Sequence, residues 1–411
     1  MLRISRYVAV AMLLAAPAFA EDRFEKTMSG TVNYPGGRVT IEHRFGRVVV
    51  RTDGGNEVSA RATIRSSDTE LGKQIHFAIS NGTTGVSIRT VFPSIHSHDG
   101  DLSYSADLQV TMPERAPLFL RSRFGSVEVS GLRAPVEIVN GQGSITVRDI
   151  HGGRIENSFG SITISSSGGD TTVQNANGSI NINDIEGMLS VTNRFASVWV
   201  RDVSKGLSIA NTNGSVIVSD VRGPTSISDT FASVEARNIG GPTSIANQNG
   251  NVTATDIGGD LNVDTRFGLV KAAHIRGNLT VDNANGGVSA TDINGDARVN
   301  TSFASVFLKD IGGGVRVENQ NGSIAVSGLR GGCNTISLRT TYAPIRIAIG
   351  SNASYTVTAR TTYGMITTDV PFSVSSKSSS ENSSSLTGTI GGGGCKMELA
   401  TSNGGITITR E

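Results

Sequence analysis

Cysteine, aromatic residues and clustered charge are all scarce in this chain. Its 411 residues include 2 Cys and 1 Trp, aromatics make up 5%, and the formal net charge is +1. Two cysteines allow one intramolecular disulfide at most. A chain so close to neutrality does not present the clustered Lys and Arg that nucleic acid or an anionic membrane demands. Long apolar runs are missing apart from Tyr7 to Ala16, which is too short to span a bilayer as a helix. No Gly-x-Ser-x-Gly elbow stands between a strand and a helix, so the sequence offers no serine-hydrolase nucleophile. The Gly-Gly-x-Gly-x-Asp nonapeptide of calcium-binding β-rolls is also absent.

What the chain has in abundance is glycine and repetition. Glycine accounts for 50 residues, well above the usual ~7%. Phe159, Phe195, Phe231, Phe267 and Phe303 follow one another at 36-residue steps. Asn177, Asn213, Asn249, Asn285 and Asn321 do the same, each 18 residues after a phenylalanine. Within one 18-residue unit, Ile180 and Ile182 alternate with Asn181 and Asn183, and Leu189 and Val191 alternate with Ser190 and Thr192. A two-residue period means a strand with one apolar face. Asp184 to Gly187 and Ala196-Ser197 shift that parity and read as bends. Ile180, Ile182, Ile185, Leu189, Val191 and Phe195 form the expected inward set. No unit buries such a face alone, so the units must stack. The fold class is therefore all-β, a parallel β-solenoid (β-helix) of 18-residue half-units in 36-residue repeats.

Two coil sizes fit. An 18-residue coil alternates Phe and Asn up a single corner. A 36-residue coil stacks Phe on Phe and Asn on Asn at opposite corners. Like side chains stack well at the ~4.8 Å strand spacing, which favours the larger coil. Pairing of Ile180 with Val216 would mark a 36-residue coil, and pairing with Val198 an 18-residue coil.

Four segments follow from the order of the chain. Residues 1–20 read as a signal peptide, with Arg3 and Arg6 ahead of the apolar run and Ala18-Phe19-Ala20 as the cleavage site. Removing those two arginines leaves a mature charge of about −1 (1 − 2). No Cys follows the site, so a lipid anchor is not expected. Neither is a transmembrane segment in the mature chain, which is expected to be exported to the periplasm or beyond the cell. Residues 21–115 are less regular, with Arg38 to Arg51 as a first unit, and are expected to form an N-terminal β cap over the open edge. Residues 116–332 carry the regular repeats. Residues 333–411 are irregular terminal repeats and a C-terminal cap, including the serine-rich run Ser373 to Ser385, expected to be an exposed loop or edge strand.

The strand "VTMPERAPLFL" followed by units such as "NGSININD" and "FASVWVRD" resembles the bacterial putative-adhesin family of extracytoplasmic β-solenoid domains, similar to GIN-type adhesin heads. The resemblance runs from about Arg38 to the C-terminus. It implies a β-helical fold outside the cytoplasm, and that family supplies no catalytic residue to carry over.

Candidate sites are few. Asp184, Asp202, Asp220, Asp256, Asp292 and Asp310 share one corner position, filled by Asn238 and His274 in two units. They read as Asx-turns, with a calcium column as the alternative. Asn238 and His274 would interrupt such a column. The Asn column reads as a structural ladder of stacked amides at bends that tolerate positive φ. His96, His98, Asp99 and Asp101 are the one cluster of metal-type ligands, set in a loop. Trp199, Glu235, Lys271 and Phe307 form an outward row at 36-residue steps. The expected function is a non-catalytic binding or structural surface for an envelope or extracellular ligand, protein or glycan, without a cofactor. The alternative is a polysaccharide lyase or hydrolase on a β-helix scaffold, which needs clustered carboxylates on one face. Cys333 and Cys395 are expected to form a disulfide, because both begin a strand at nearly the same register. In a 36-residue coil they fall on adjacent coils. In an 18-residue coil, sequence order puts them two layers apart, near ~10 Å, too far to bridge.

Overall fold

The computed structural model describes residues 24–94, 102–331 and 333–411. The signal-peptide expectation and the His96, His98, Asp99 and Asp101 cluster lie outside the described residues. Two parallel sheets face each other, and the chain alternates between them. The strand Ile180–Ile185 belongs to one sheet and Met188–Phe195 to the other. Ile180 pairs with Val198, and Leu189 pairs with Leu207. Each coil is therefore 18 residues with two strands, and the 36-residue coil is overturned. Like-on-like stacking of Phe and Asn is not what sets the repeat; main-chain pairing between successive turns is.

The interior follows from strand parity. Ile180, Ile182, Ile185, Leu189 and Val191 are fully buried, and each sits in register with an aliphatic residue of the next turn. Val, Ile, Leu and Ala fill the space between the sheets from end to end. Phe195 departs from this pattern. It shares the parity of Leu189 and Val191, yet it is 45% exposed. The chain is already turning the corner there, so strand parity no longer decides direction. One element was not expected at all. Thr69–Gln74 forms a single short helix, begun by Asp68, whose carboxylate accepts from the main-chain N–H groups of Glu70 and Leu71.

The two ends share an unusual order. The first turn, Arg38–Glu42 and Val48–Asp53, does not lie outermost. It is held between Gly85–Val91 and Tyr104–Pro113 on one side and Leu118–Phe124 and Val127–Ser130 on the other. Beyond the outer turn, Glu57–Ser66, Phe24–Asn33 and His76–Gly82 add antiparallel strands. The last turn is placed the same way. Cys395–Thr401 pairs with both Ile336–Arg339 and Tyr355–Thr361, and Ile406–Arg410 pairs with both Ile345–Ile349 and Ile366–Thr368. Antiparallel strands Ser383–Ile390 and Phe372–Ser380 follow outside. The serine-rich run thus forms an exposed edge hairpin.

Insertion of the last turn corrects the distance argument for the cysteines. Sequence order would separate Cys333 and Cys395 by two turns. Spatial order makes their turns neighbours, and a disulfide joins them with Cα atoms 5.1 Å apart. It ties the inserted turn to the body of the array. Replacing both cysteines with Ala is expected to loosen this end first, by up to roughly 4 kcal/mol from loop-closure entropy. Limited proteolysis with mass mapping checks it, with early cleavage after residue 330 expected in the variant and not in the wild type.

His43 lies in the inserted first turn, buried, with Nδ1 2.9 Å from Oγ1 of Thr90. Burial holds its imidazole down to about 4; main-chain contacts at Gly46 and Phe45 and the charge of Asp107 oppose this only in part. An unfolded His43 takes up a proton near pH 6.5, and the folded one does not until about 4. The unfolded state therefore binds more protons between those values, and stability falls as pH drops from 6.5 towards 4, by on the order of 3 kcal/mol. Urea melts across that range are expected to show a shallower slope for His43→Leu than for the wild type.

Candidate functional site

The corners between the two sheets carry everything on the surface that repeats. At one corner the chain leaves a strand such as Thr171–Asn177 and enters Ile180–Ile185. The turn is tight. Gly178 has a φ of 140°, and a Cβ there would lie 2.2 Å from the carbonyl oxygen of Gly160 in the turn beneath. Such a bend points main-chain carbonyls into the interior, away from any strand partner, where they need donors. A buried amide supplies them. Asn157 Nδ2 donates to the carbonyls of Gly143 and Gly160, and Asn175 Nδ2 donates to those of Gly160 and Gly178. The carbonyls of Gly143 and Gly160 thereby each bind two successive amides, Asn140 and Asn157 at the first and Asn157 and Asn175 at the second. The column continues through Asn193, Asn211, Asn247, Asn283 and Asn319, with Thr265, Thr301 and Thr340 in other turns. Sequence reasoning missed it. The signal was present as a polar residue at an inward parity position in nearly every turn.

The asparagines singled out from the sequence do something else. Asn177, Asn213, Asn249 and Asn321 sit outside the buried amides and do not stack on one another. Each Nδ2 donates to a main-chain carbonyl of the turn beneath, at Ser158, Arg194, Thr230 and Ser302, over 3.2–3.5 Å. Where φ is positive at these asparagine corners it belongs to the following glycine, at Gly178, Gly214 and Gly250, and not to the asparagine.

Between these amides stand the aromatic rings. Phe159, Phe195, Phe231, Phe267, Phe303, Tyr342 and Tyr363 are 45–62% exposed. Asn177 is in register with Phe159 on one side and Phe195 on the other. Ring and amide therefore alternate up one edge of the solenoid. The alternation survives the inserted last turn. In sequence the order is Tyr342, Tyr363, Asn403. In space Asn403 N–H bonds to the carbonyl of Thr341, and Tyr363 N–H to that of Ser402, so the amide lies between the two rings. At the other end Gln142 separates Phe124 from Phe159. The alternation then stops, because Phe124 stacks directly on Phe45 at 5.1 Å.

The opposite corner carries the aspartate column. Asp149, Asp184, Asp202, Asp220, Asp256, Asp292 and Asp310 all adopt φ between 51° and 61°, as do Asn238 and His274. The bend is left-handed, which Asp and Asn tolerate best, but it is not the expected Asx-turn. The N–H two residues on, as at Glu186, Ser204 and Arg222, bonds to a main-chain carbonyl of the turn beneath, at Ser167, Ile185 and Val203, and not to the Asp side chain. Their outer ends meet neighbours within the column. Arg201 reaches Asp202 and Asp220, Asn238 donates to Asp220, His274 Nδ1 lies 3.1 Å from Asp256, and Arg330 pairs with Asp292. Among the described residues no three His, Cys, Asp or Glu side chains converge as a metal site.

The outward row is also spread out by the smaller coil. Trp199 is in register with Asn181 and Ile217, and Phe307 with Ser289 and Ala325. Glu235 pairs with Arg237.

No family model matches the chain, and no curated protein matches it. Among solved structures, one similar chain is a "putative cell adhesion protein" from Clostridium sporogenes. The two are 8% identical with a TM-score of 0.22, over 94% of this chain and 100% of that one. A likeness of that size carries no argument about role.

One turn tests the buried column. Asp229 replaces the amide, and it is buried with Oδ1 accepting from Asn211 Nδ2 and Oδ2 from the N–H of Ala232. Burial pushes its carboxyl above the ordinary range, against those hydrogen bonds. A raised carboxyl means that ionisation costs stability at neutral pH. Asp229→Asn is therefore expected to raise the melting temperature at pH 7, by about 1 kcal/mol in stability. The gain is expected to shrink as pH falls and the wild-type carboxyl protonates, which differential scanning calorimetry at two pH values reads directly.

Proposed function

We propose that this chain is an exported, non-catalytic β-solenoid of the periplasm or cell exterior that acts as a binding surface, in adhesion or envelope maintenance. The observation that carries the reading is the row of seven exposed aromatic rings on one edge of a rigid array. Exposed rings cost solvation, and a regular row of them on a stable scaffold supports a contact role. The N-terminal pattern of Arg3, Arg6 and Ala18-Phe19-Ala20 supports export. The Cys333–Cys395 bridge fits an oxidising compartment. The antiparallel strands at each end serve in this reading as caps, since they offer the edge no further parallel partner.

Two assays on the purified protein separate this role from catalysis. Incubation with envelope fractions is expected to retain the protein on the insoluble material. Incubation with a panel of soluble polysaccharides is expected to release no reducing ends and no unsaturated products. Turnover of any member of that panel would replace the binding role with a lyase or hydrolase. Failure to bind any envelope or cell-surface fraction would remove the binding role itself.

A further inference from the structure

We infer that the ring–amide edge is a binding site for an extended, uncharged 1,4-β-linked glycan, one ring to each disaccharide. The inference rests on the binding role proposed above and names its ligand class. Successive turns are ~4.8 Å apart, so rings on alternate turns repeat every ~9.6 Å. That is close to the length of one disaccharide in an extended 1,4-β-linked chain. In such a chain each sugar is turned over relative to the last, so the same pyranose face returns once per disaccharide. A straight row of contacts must then repeat per disaccharide and offer something different to the sugar between. The edge does this, with a flat ring on one turn and a polar amide on the next.

The chemistry of each position fits a sugar polymer. A ring face covers the axial C–H face of a pyranose, and an amide meets its hydroxyls. The Nδ2 of Asn177, Asn213, Asn249 and Asn321 is held by a main-chain carbonyl, which fixes the amide in place. Beside the row lies a column of serines, with Ser197 and Ser215 hydrogen-bonded at 3.0 Å. The four-residue corners themselves carry no acid: they read SFGS, ANGS, RFAS, TNGS, TFAS, QNGN, RFGL, ANGG, SFAS and QNGS from residue 158 to 323. Their only charges are Arg194 and Arg266. A polycation finds no partner there, and a polyanion finds very little.

The inserted last turn gives independent support. Repetition of a sequence unit alone would give an alternation that fails wherever the repeat fails. Here the repeat breaks down after Asn321, the chain order becomes ring, ring, amide, and the spatial order is still ring, amide, ring. The spacing of the rings is kept where the sequence period is not. From Phe159 to Tyr363 the row spans twelve turn steps, ~58 Å, which is six disaccharides.

The test is an equilibrium pull-down with the full exported chain, disulfide intact, on insoluble chitin, cellulose and peptidoglycan sacculi, with granular starch as the α-linked control. Binding to one or more of the β-linked polymers is expected, without binding to starch. The three β-linked arms tell a plain glycan from the peptide-bearing wall. Phe231→Ala with Phe267→Ala is expected to weaken binding at least tenfold, while Phe231→Tyr with Phe267→Tyr retains it. The decisive variant is Phe231→Asn with Asn249→Phe, which keeps the number of rings and moves one of them by a turn. Its binding is expected to fall as far as that of the alanine variant, with an unchanged melting temperature. Wild-type affinity in the shifted variant would overturn the inference, and so would equal binding to starch. Retention on envelope fractions with no binding to any β-linked glycan would overturn the ligand class and leave the binding role standing. Loss of both would take the two together.

Discussion

Main-chain pairing between turns 18 residues apart is the constraint on which the rest of this structure depends. It places every residue of one turn directly above its counterpart in the turn beneath. Columns are then unavoidable: an aliphatic column in each sheet, an amide column inside one corner, an aspartate column at the other. A side chain is accepted in a turn only if it suits the column it joins. That is why the two corners look so different. One needs a residue that tolerates left-handed backbone, which Asp and Asn provide at φ near 55°. The other needs a donor for inward carbonyls, which a buried Asn amide provides twice over.

The buried amides also show how the fold pays its polar cost. A sharp bend between two closely packed sheets leaves carbonyl groups with no water and no strand partner. An unsatisfied group of that kind costs about 1–3 kcal/mol. Repeated in every turn, the loss would offset a sizeable part of what the aliphatic core supplies. At Gly143 and Gly160 one carbonyl is shared between successive amides, and farther along the array each amide meets a corner carbonyl of its own, as at Ala196, Ala232 and Ala304. The shared carbonyls also couple neighbouring turns through side chains as well as strands.

Much of this architecture was legible in the sequence. The alternation around Ile180 and Leu189 and the strict 36-residue step lead directly to a parallel β-solenoid, and the Asp positions lead to bends, though not to Asx-turns. The coil size was misjudged for a physical reason. Stacking of like on like favours the larger coil, but the Phe and Asn column faces solvent, where main-chain pairing and not side-chain stacking sets the order. Strand parity puts Phe195 inside only when it is carried one residue too far, into the bend. The Asn175 and Asn193 column went unread because a polar residue at an inward position looks like noise until the corner carbonyls are seen. The inserted terminal turns were beyond reach, since nothing in a linear pattern reveals that residues 395–410 lie between 336–349 and 355–368.

The interleaved ends have a consequence for how such a molecule can change in size. Neither terminal turn is a free face onto which a duplicated unit could be added, because each is already clasped on both sides and followed by antiparallel strands. Growth and shortening are confined to the middle of the array. There, gaining or losing a single turn would bring two rings or two amides together. Only an even number of turns leaves the edge unchanged. The length of this solenoid is therefore quantised in steps of two turns, and the 36-residue period is the mark of that step, written into a structure whose mechanical unit is half as long.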